Sequence, residues 1–316
     1  MTEERHVPLL IAGAGPAGLT AGIYAVRANI ECEVIERAVP GGQVFIADRI
    51  ENYPGFVDPI SGSELSDRMK AQAERLGTKI TQDEIKKVTI EGDRKRVTLA
   101  RGGDVTCDAL IVATGSKPRE LGVPGEKELW GRGVSYCATC DGNFYRDTDI
   151  AVVGGGDSAC QEGTMLSHLA RKVYIIHRRD QFRAQPYLVQ CALSEKNVEV
   201  LYDHVLVKIE GKKEVDHLVL KNVNTGEESN LDVEGVFIYV GMLPYTGFLE
   251  GMVDLTTEGY IAAGEDTRTS VPGIFAAGDV RDKPARQIAT AVADGATAVR
   301  SVEIYFIEKG LSGRYV

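Results

Sequence analysis

The hydrophobic positions of this chain fall into short runs separated by glycine-bearing turns. Val7-Pro8-Leu9-Leu10-Ile11-Ala12 is an apolar run that ends at glycines, the pattern of a strand buried on both faces of a parallel sheet. Small residues then predict a helix from about Pro16 to Ala28, and Glu31-Cys32-Glu33-Val34-Ile35-Glu36 predicts a strand that ends in an acid. A clearer helix is predicted from Ser61, where Glu64 would complete a capping box, to just before Gly77. From about Lys79 to Val112, β-rich runs divided by Glu91-Gly92-Asp93 and Gly102-Gly103 predict an antiparallel meander.

The pattern then restarts. Asp149-Ile150-Ala151-Val152-Val153 runs into three glycines, a helix is predicted through His168, and Lys172 to Ile176 reads as the next strand. After another β-rich stretch, Val271 to Asp279 reads as a short strand ending at a Gly-Asp turn, and a last helix runs from near Arg286 to about Glu308. The strand-helix-strand opening thus occurs twice, near residues 7 and 149. Lys117-Pro118 and Gly241-Met242-Leu243-Pro244 suit the joints between the halves, because proline fixes local geometry and glycine permits unusual angles.

At 316 residues the chain has room for about two domains. Its 43% hydrophobic and 26% charged residues exclude wholesale disorder. A net charge of −10 disfavours nucleic acid and anionic membranes as partners. Val7 to Val26 carries no formal charge over 20 residues, long enough to raise the question of a membrane span. Five glycines and prolines interrupt it, however, and its flank is acidic, unlike a signal peptide. The expected location is the cytoplasm. Six cysteines are too few for a disulfide scaffold in a chain of this length.

Gly13-Ala14-Gly15-Pro16-Ala17-Gly18 has the form GxGxxG between a strand and a helix. The first glycine permits the tight turn, the second lets backbone approach a pyrophosphate, and the third lets helix and strand pack closely. The helix N-terminus offers unpaired N–H groups to the phosphates. Glu36, 18 residues after Gly18, can accept hydrogen bonds from ribose hydroxyls. Gly154-Gly155-Gly156-Asp157-Ser158-Ala159 is a second turn, of GxGxxA form. The same count from Ala159 lands on His177, followed by Arg178, Arg179 and, further on, Arg183. A carboxylate there would repel a 2′-phosphate, whereas guanidinium groups would bind it. The first turn therefore suits FAD or NAD and the second NADP(H). By fold logic the first holds a tight flavin and the second an exchanging NADPH. His177 reads as a hydrogen-bonding neighbour of the phosphate rather than as a catalytic base.

Cys137-Ala138-Thr139-Cys140 is the one CxxC pair. Zinc would need further ligands, and no second CxxC or close His pair appears. With flavin and NADPH sites to feed it, a redox-active disulfide is the favoured reading. Asp141, directly after, is a candidate proton donor or acceptor; capping the Asp141-Gly142 turn is its alternative role. Cys32, Cys107, Cys160 and Cys191 read as apolar filler.

Together these residues resemble the low-molecular-weight thioredoxin reductases. The motifs that carry the resemblance are Gly13–Gly18, Gly41-Gly42-Gln43, Glu51 to Gly55, Ala113-Thr114-Gly115, Cys137–Asp141, Gly154–Ala159, His177–Arg183, and Gly278-Asp279 with Arg286-Gln287. The most specific is CxxC-Asp placed just before the second glycine turn. The resemblance implies an α/β fold of two Rossmann-like dinucleotide-binding domains, with the NADPH domain (118–243, carrying the dithiol) inserted into the FAD domain (1–117 plus 244–316). It implies a homodimer that reduces a thioredoxin-like protein. It implies FAD contacts from Gly13, Gly15, Pro16, Ala17, Gly18, Glu36, Arg37, Gly42, Gln43, Asn52, Ala113, Thr114, Gly115, Gly278, Asp279, Arg286, Gln287 and Ile288. NADPH contacts are implied for Gly154, Gly156, Asp157, Ser158, Ala159, His177, Arg178, Arg179 and Arg183. It further implies that Cys140 is the flavin-proximal sulfur and Cys137 the one that attacks the partner. If nicotinamide and disulfide compete for one flavin face, the joints become a hinge. Gln161, Tyr245 and Ala293 depart from the usual Glu, Asn and Gly. The rivals are a flavin dithiol oxidase, a ferredoxin-fed reductase and a nucleotide-binding redox sensor. The three arginines argue against the first two, and the retained dithiol against the third.

Overall fold

The computed structural model describes residues 5–47 and 50–311. The chain divides into two compact units: unit 1 is Met1–Lys117 with Leu243–Val316, and unit 2 is Pro118–Met242.

Unit 1 begins with β1 (Arg5–Ala12), α1 (Pro16–Arg27) and β2 (Cys32–Glu36), followed by α2 (Gly62–Leu76) and β3 (Lys79–Gln82). β4 (Ile85–Glu91), β5 (Arg94–Leu99) and β6 (Asp104–Val112) complete the first pass, and β7 (Ser116–Pro118) leads out. The strands lie in the order β3-β2-β1-β6-β5-β4. β1 pairs parallel with β2 and β6, which explains its unbroken apolar run: Leu9 and Ile11 enter the core under the helices, while Leu10 and Ala12 enter the core on the other face. The uncharged stretch Val7 to Val26 is thus a strand and a helix folded back at Gly13, not a single apolar rod. Among the described residues no helix is long and apolar enough to cross a membrane.

The expected meander holds only for β4-β5-β6, whose pairings are antiparallel. β3 instead pairs parallel with β2, because α2 carries the chain across the sheet before it. The capping box expected at α2 is half formed. Ser61 Oγ accepts the Glu64 N–H at 3.2 Å, but the Glu64 carboxylate accepts from Arg68 at 2.6 Å instead of closing the box.

Unit 2 repeats the plan with β8 (Val134–Ser135), α3 (Ala138–Asp141), β9 (Asp149–Gly154), α4 (Asp157–Ser167), β10 (Lys172–Ile176), α5 (Pro186–Ser194) and β11 (Val198–Leu201). A separate antiparallel sheet follows, β12 (His204–Glu210), β13 (His217–Asn222) and β14 (Glu228–Asp232), and then β15 (Gly235–Tyr239). The main sheet has the order β11-β10-β9-β15-β8 and is parallel throughout. Ile150 and Val152 pack beneath α4, while Ala151 and Val153 pack against the antiparallel sheet. The chain leaves through β16 (Met242–Pro244), which pairs with β7. β17 (Ile274–Ala276) then joins β6 in parallel, and α6 (Ile288–Glu308) closes unit 1. The return to the first sheet therefore falls where the short run before Gly278 predicts it.

Lys95 on β5 is only 2% exposed. Its ammonium donates to the Asp108 carbonyl at 2.8 Å, the Asp93 carbonyl at 3.1 Å and the Tyr305 hydroxyl at 3.2 Å, so α6 is tied to the meander. Burial pushes its pKa down.

Candidate functional site

The first glycine turn is built by close backbone approach. Gly13 adopts φ 103°, and a Cβ there would lie 2.5 Å from the Ala113 carbonyl oxygen. A Cβ on Gly18 would collide with the Gly13 carbonyl, and one on Gly295 with the Ala17 carbonyl, so α1 is pressed against both the turn and α6. Gly15, by contrast, has no atom within 4 Å of where its Cβ would be, and Gly42 approaches its Cα. The turn is therefore a cradle open at its middle glycine and rigid at its ends, as a pyrophosphate site requires. The N–H of Gly41 donates to the Ala14 carbonyl at 2.8 Å, which brings the Gly41-Gly42-Gln43 segment to the same place. Gly18→Ala should cost unit 1 about 3 kcal/mol of stability through overpacking; denaturant unfolding of the purified variant measures it, and unchanged stability would contradict the packing argument.

Glu36 is buried at the end of β2, and its carboxylate holds the turn itself: Oε2 accepts the Ala14 N–H at 2.7 Å and Oε1 the Ala38 N–H at 2.9 Å. Carboxylate oxygens have further lone pairs, so ribose hydroxyls remain possible partners. Arg37 next to it stacks on the Tyr245 ring, 4.0 Å from the centroid. Tyr245 is one of the departures from the family pattern, and its backbone accepts from Thr114 Oγ1 at 2.8 Å and donates to the Gly115 carbonyl at 3.1 Å. The Ala113-Thr114-Gly115 segment is thereby joined to residues after the second crossing.

At the Gly278 turn, a Cβ would come 2.9 Å from Ala17 Cβ. Asp279 Oδ1 is buried without a hydrogen-bond partner among the described residues, with Lys283 Nζ 3.7 Å away. Burial raises the Asp279 pKa, while Lys283 and Arg286 pull against that rise. An orphaned buried oxygen beside an open glycine cradle fits a polar group arriving from a ligand. Arg286 lies over the Tyr260 ring at 4.0 Å. Asn52 Nδ2 donates to Gln287 Oε1 at 3.1 Å, which unites two candidates 235 residues apart. Gln287 also caps α6 in the capping box absent from α2, and Ile288 begins that helix. Sequence reasoning missed Asp294, whose carboxylate accepts from the Gly278 N–H, Arg281 and Lys283 within 3.0 Å and so fixes this turn from α6. No local signal distinguishes it from the other acids of a helix surface.

The second turn is similarly tight. A Cβ on Gly154 would lie 2.5 Å from the Tyr239 carbonyl and one on Gly155 would strike the His177 ring. His177 is buried, and its Nε2 pairs with the Gln181 carbonyl at 3.0 Å while its ring packs on Phe182. Burial above all, with Arg179 and Arg178 adding, lowers its pKa, so the ring is neutral at pH 7. In this structure His177 braces the glycine turn from below. Asp157, first residue of α4, accepts from Gln185 N at 2.8 Å and Gln185 Nε2 at 3.1 Å. Ser158 and Ala159 follow it in the first turn of α4. The Arg183 N–H donates to the Gly155 carbonyl at 2.9 Å, and its guanidinium lies beside Gly156. Arg178, Arg179 and Arg183 are exposed, and among the described residues no ion pair engages any of the three. Three cationic groups without carboxylate partners beside a helix N-terminus are suited to a dianionic phosphate.

Cys137 and Cys140 form a disulfide with Cα atoms 5.3 Å apart. β8 ends at Ser135, and Cys137 caps the single turn α3, its Sγ accepting the Cys140 N–H at 3.2 Å. Cys137 is half-buried and Cys140 exposed. The turn is anchored on three sides. The Ala138 N–H donates to the Tyr239 hydroxyl at 2.6 Å. Ser135 Oγ donates to Asp141 Oδ2 at 2.6 Å and accepts the Cys137 N–H at 3.1 Å. Tyr136 donates to buried Glu126 at 2.8 Å, and Glu126 also accepts the Leu121 and Gly122 N–H groups. Ser135, Tyr239 and Glu126 went unnoticed in the sequence because their partners are set by β8 and β15 lying side by side. Among the described residues no three His, Cys, Asp or Glu side chains are grouped to hold a metal. Cys32 and Cys107 are buried with thiols pushed up to about 12, and Cys160 is buried with its thiol pushed up to about 11, in each case mainly by burial. Such thiols are inert.

Two dinucleotide-type turns, each on its own parallel sheet, with a disulfide carried on one of them, define a pyridine nucleotide-disulfide enzyme. The sequence pattern of the pyridine nucleotide-disulphide oxidoreductase family matches residues 7–295, and the chain belongs to that family. It is 45% identical over 309 residues to the thioredoxin reductase of Bacillus subtilis (strain 168), covering 98% of this chain and 97% of that protein. It is similar to the crystal structure of thioredoxin reductase from Streptococcus pyogenes MGAS5005, with TM-score 0.90, 44% identity, and coverage of 97% of this chain and 100% of that one. Against the thioredoxin reductase from Giardia duodenalis the TM-score is 0.91 at 37% identity, covering 96% and 100%. Family membership implies flavin and nicotinamide cofactors.

Proposed function

We propose that this chain is an NADPH-dependent reductase of the disulfide of a thioredoxin-like protein, with FAD held in unit 1 and NADPH in unit 2. The observation that carries this reading is the Cys137–Cys140 disulfide on the same unit as a glycine turn flanked by Arg178, Arg179 and Arg183. Relatives described as thioredoxin reductases, similar over nearly the whole chain, support the choice of partner.

The residues of unit 1 that would hold FAD are the Gly13–Gly18 turn, Glu36 and the Gly278-Asp279 turn. Those that would hold NADPH are Gly154, Gly156 and the three arginines. The bound cofactors supply the electron pair that opens the Cys137–Cys140 bond. The freed Cys137 thiolate is stabilised by the N–H of Cys140. It attacks one sulfur of the partner's disulfide, and that S–S bond breaks with its electron pair on the departing sulfur. Cys140 then attacks the Cys137 sulfur of the mixed disulfide and releases the second partner sulfur. Asp141 takes the Cys140 proton and passes it to the leaving thiolate.

Purified protein reconstituted with FAD should be yellow, bleach on anaerobic NADPH, and reduce a bacterial thioredoxin stoichiometrically with NADPH consumed. Reduction by NADH but not NADPH, or no transfer to any thioredoxin-like protein, would overturn the proposal. Oxygen consumption with a small dithiol and no NADPH would favour the oxidase instead.

A further inference from the structure

We infer that Ser135 is a positioning residue for the dithiol, setting the pH range over which Asp141 accepts the proton of Cys140. This rests on the reading of Asp141 as the proton carrier. A hydroxyl has one hydrogen to donate and two lone pairs to accept with. Ser135 Oγ sits 2.6 Å from Asp141 Oδ2, 3.1 Å from the Cys137 nitrogen and 3.4 Å from the Cys137 carbonyl oxygen. Asp141 Oδ2 and the Cys137 carbonyl can only accept, so they compete for the single hydroxyl hydrogen. The shorter distance and the charge of the carboxylate direct it to Asp141. The Cys137 nitrogen can only donate, so it takes a lone pair. One oxygen atom therefore links the nitrogen of the attacking cysteine to the carboxylate that serves the resolving one.

Ser135 is 1% exposed, and Phe237 of β15 is its register partner across the parallel sheet. Water has little access to compete for the hydroxyl, and the strand pairing holds it still. A hydrogen donated to a carboxylate favours the ionised form. Ser135 thus keeps Asp141 able to accept a proton under more acidic conditions than an unassisted carboxylate would. The nearby aromatic hydroxyl does not share this task. Tyr239 accepts from the Ala138 N–H, and burial raises its pKa, with the Glu162 and Asp141 charges adding, so it stays protonated.

The test is the single-turnover oxidation of dithionite-reduced, FAD-loaded protein by oxidised bacterial thioredoxin between pH 5 and 9. Ser135→Ala removes one oxygen atom. Two effects are expected: a uniform slowing from the unpaired Cys137 N–H, and a displacement of the acid limb towards higher pH by about one unit, equivalent to about tenfold at pH 6. Ser135→Thr, which keeps the hydroxyl, should restore the limb. If the alanine variant does not fold, Ser135→Gly also lacks the oxygen and takes its place. A uniform slowing with the limb unmoved would overturn the inference. Asp141→Asn separates the two readings: it should abolish the limb, and an unchanged limb in that variant would reject Asp141 as the carrier, independently of Ser135.

Discussion

Replacing Cys137 with serine is expected to lower turnover with thioredoxin at least about a thousandfold, because an alcohol cannot attack a disulfide at neutral pH and no neighbouring thiol is available to substitute. Cys32, Cys107 and Cys160 are buried and held protonated, and Cys191 lies apart on α5. The same variant distinguishes the sulfurs. With Cys140 the flavin-proximal one, its thiolate should produce a long-wavelength charge-transfer band with oxidised FAD. The band should appear in Cys137→Ser and be absent in Cys140→Ser. The opposite pattern would exchange the two roles. The geometry that supports this assignment is the acceptance of the Cys140 N–H by Cys137 Sγ, which lowers the cost of a thiolate at that position.

The second large effect concerns the choice of coenzyme. Arg178→Ala combined with Arg179→Ala should reduce kcat/KM for NADPH about a hundredfold or more while changing that for NADH less than about threefold. Each charge-assisted pair with a phosphate contributes roughly 1.5–3 kcal/mol, discounted here because both side chains are exposed and screened by salt. The prediction follows from the absence of any ion pair to these guanidinium groups among the described residues, so their removal leaves no buried carboxylate behind. Steady-state kinetics with both coenzymes at two ionic strengths measures it. An equal loss with NADH would mean that the arginines support the turn rather than read the 2′-phosphate.

The elements around the chemistry were legible because their signals are local. The run Leu9 to Ala12 ends at a glycine that needs φ 103°, and Lys172 to Ile176 is a strand with the predicted bounds. The glycine turns were legible for the same reason: backbone approach leaves no room for a Cβ, and only one residue type meets that condition. His177 shows where this reasoning stops. Its place in the sequence is the end of a strand facing the adenosine, yet its ring is buried under Gly155. Lys95 shows the same limit. Nothing in Arg94-Lys95-Arg96 tells that the middle cation is enclosed, because the acceptors that compensate it are main-chain carbonyls and a tyrosine 210 residues away.

By itself the sequence determined the two strand-turn-helix openings, the contrast between Glu36 at one and Arg178-Arg179 at the other, and the spacing of the two cysteines. These depend on residues within about 20 positions of one another, where sterics and charge act through the chain itself. Only the tertiary structure decided which side chains surround them. It pairs Asn52 with Gln287, Arg37 with Tyr245 and Asp294 with the Gly278 turn, and it brings Tyr239 to the dithiol. Hydrogen bonds and ring contacts are short-ranged, so which of many distant polar groups meet is settled by how the sheets and helices pack.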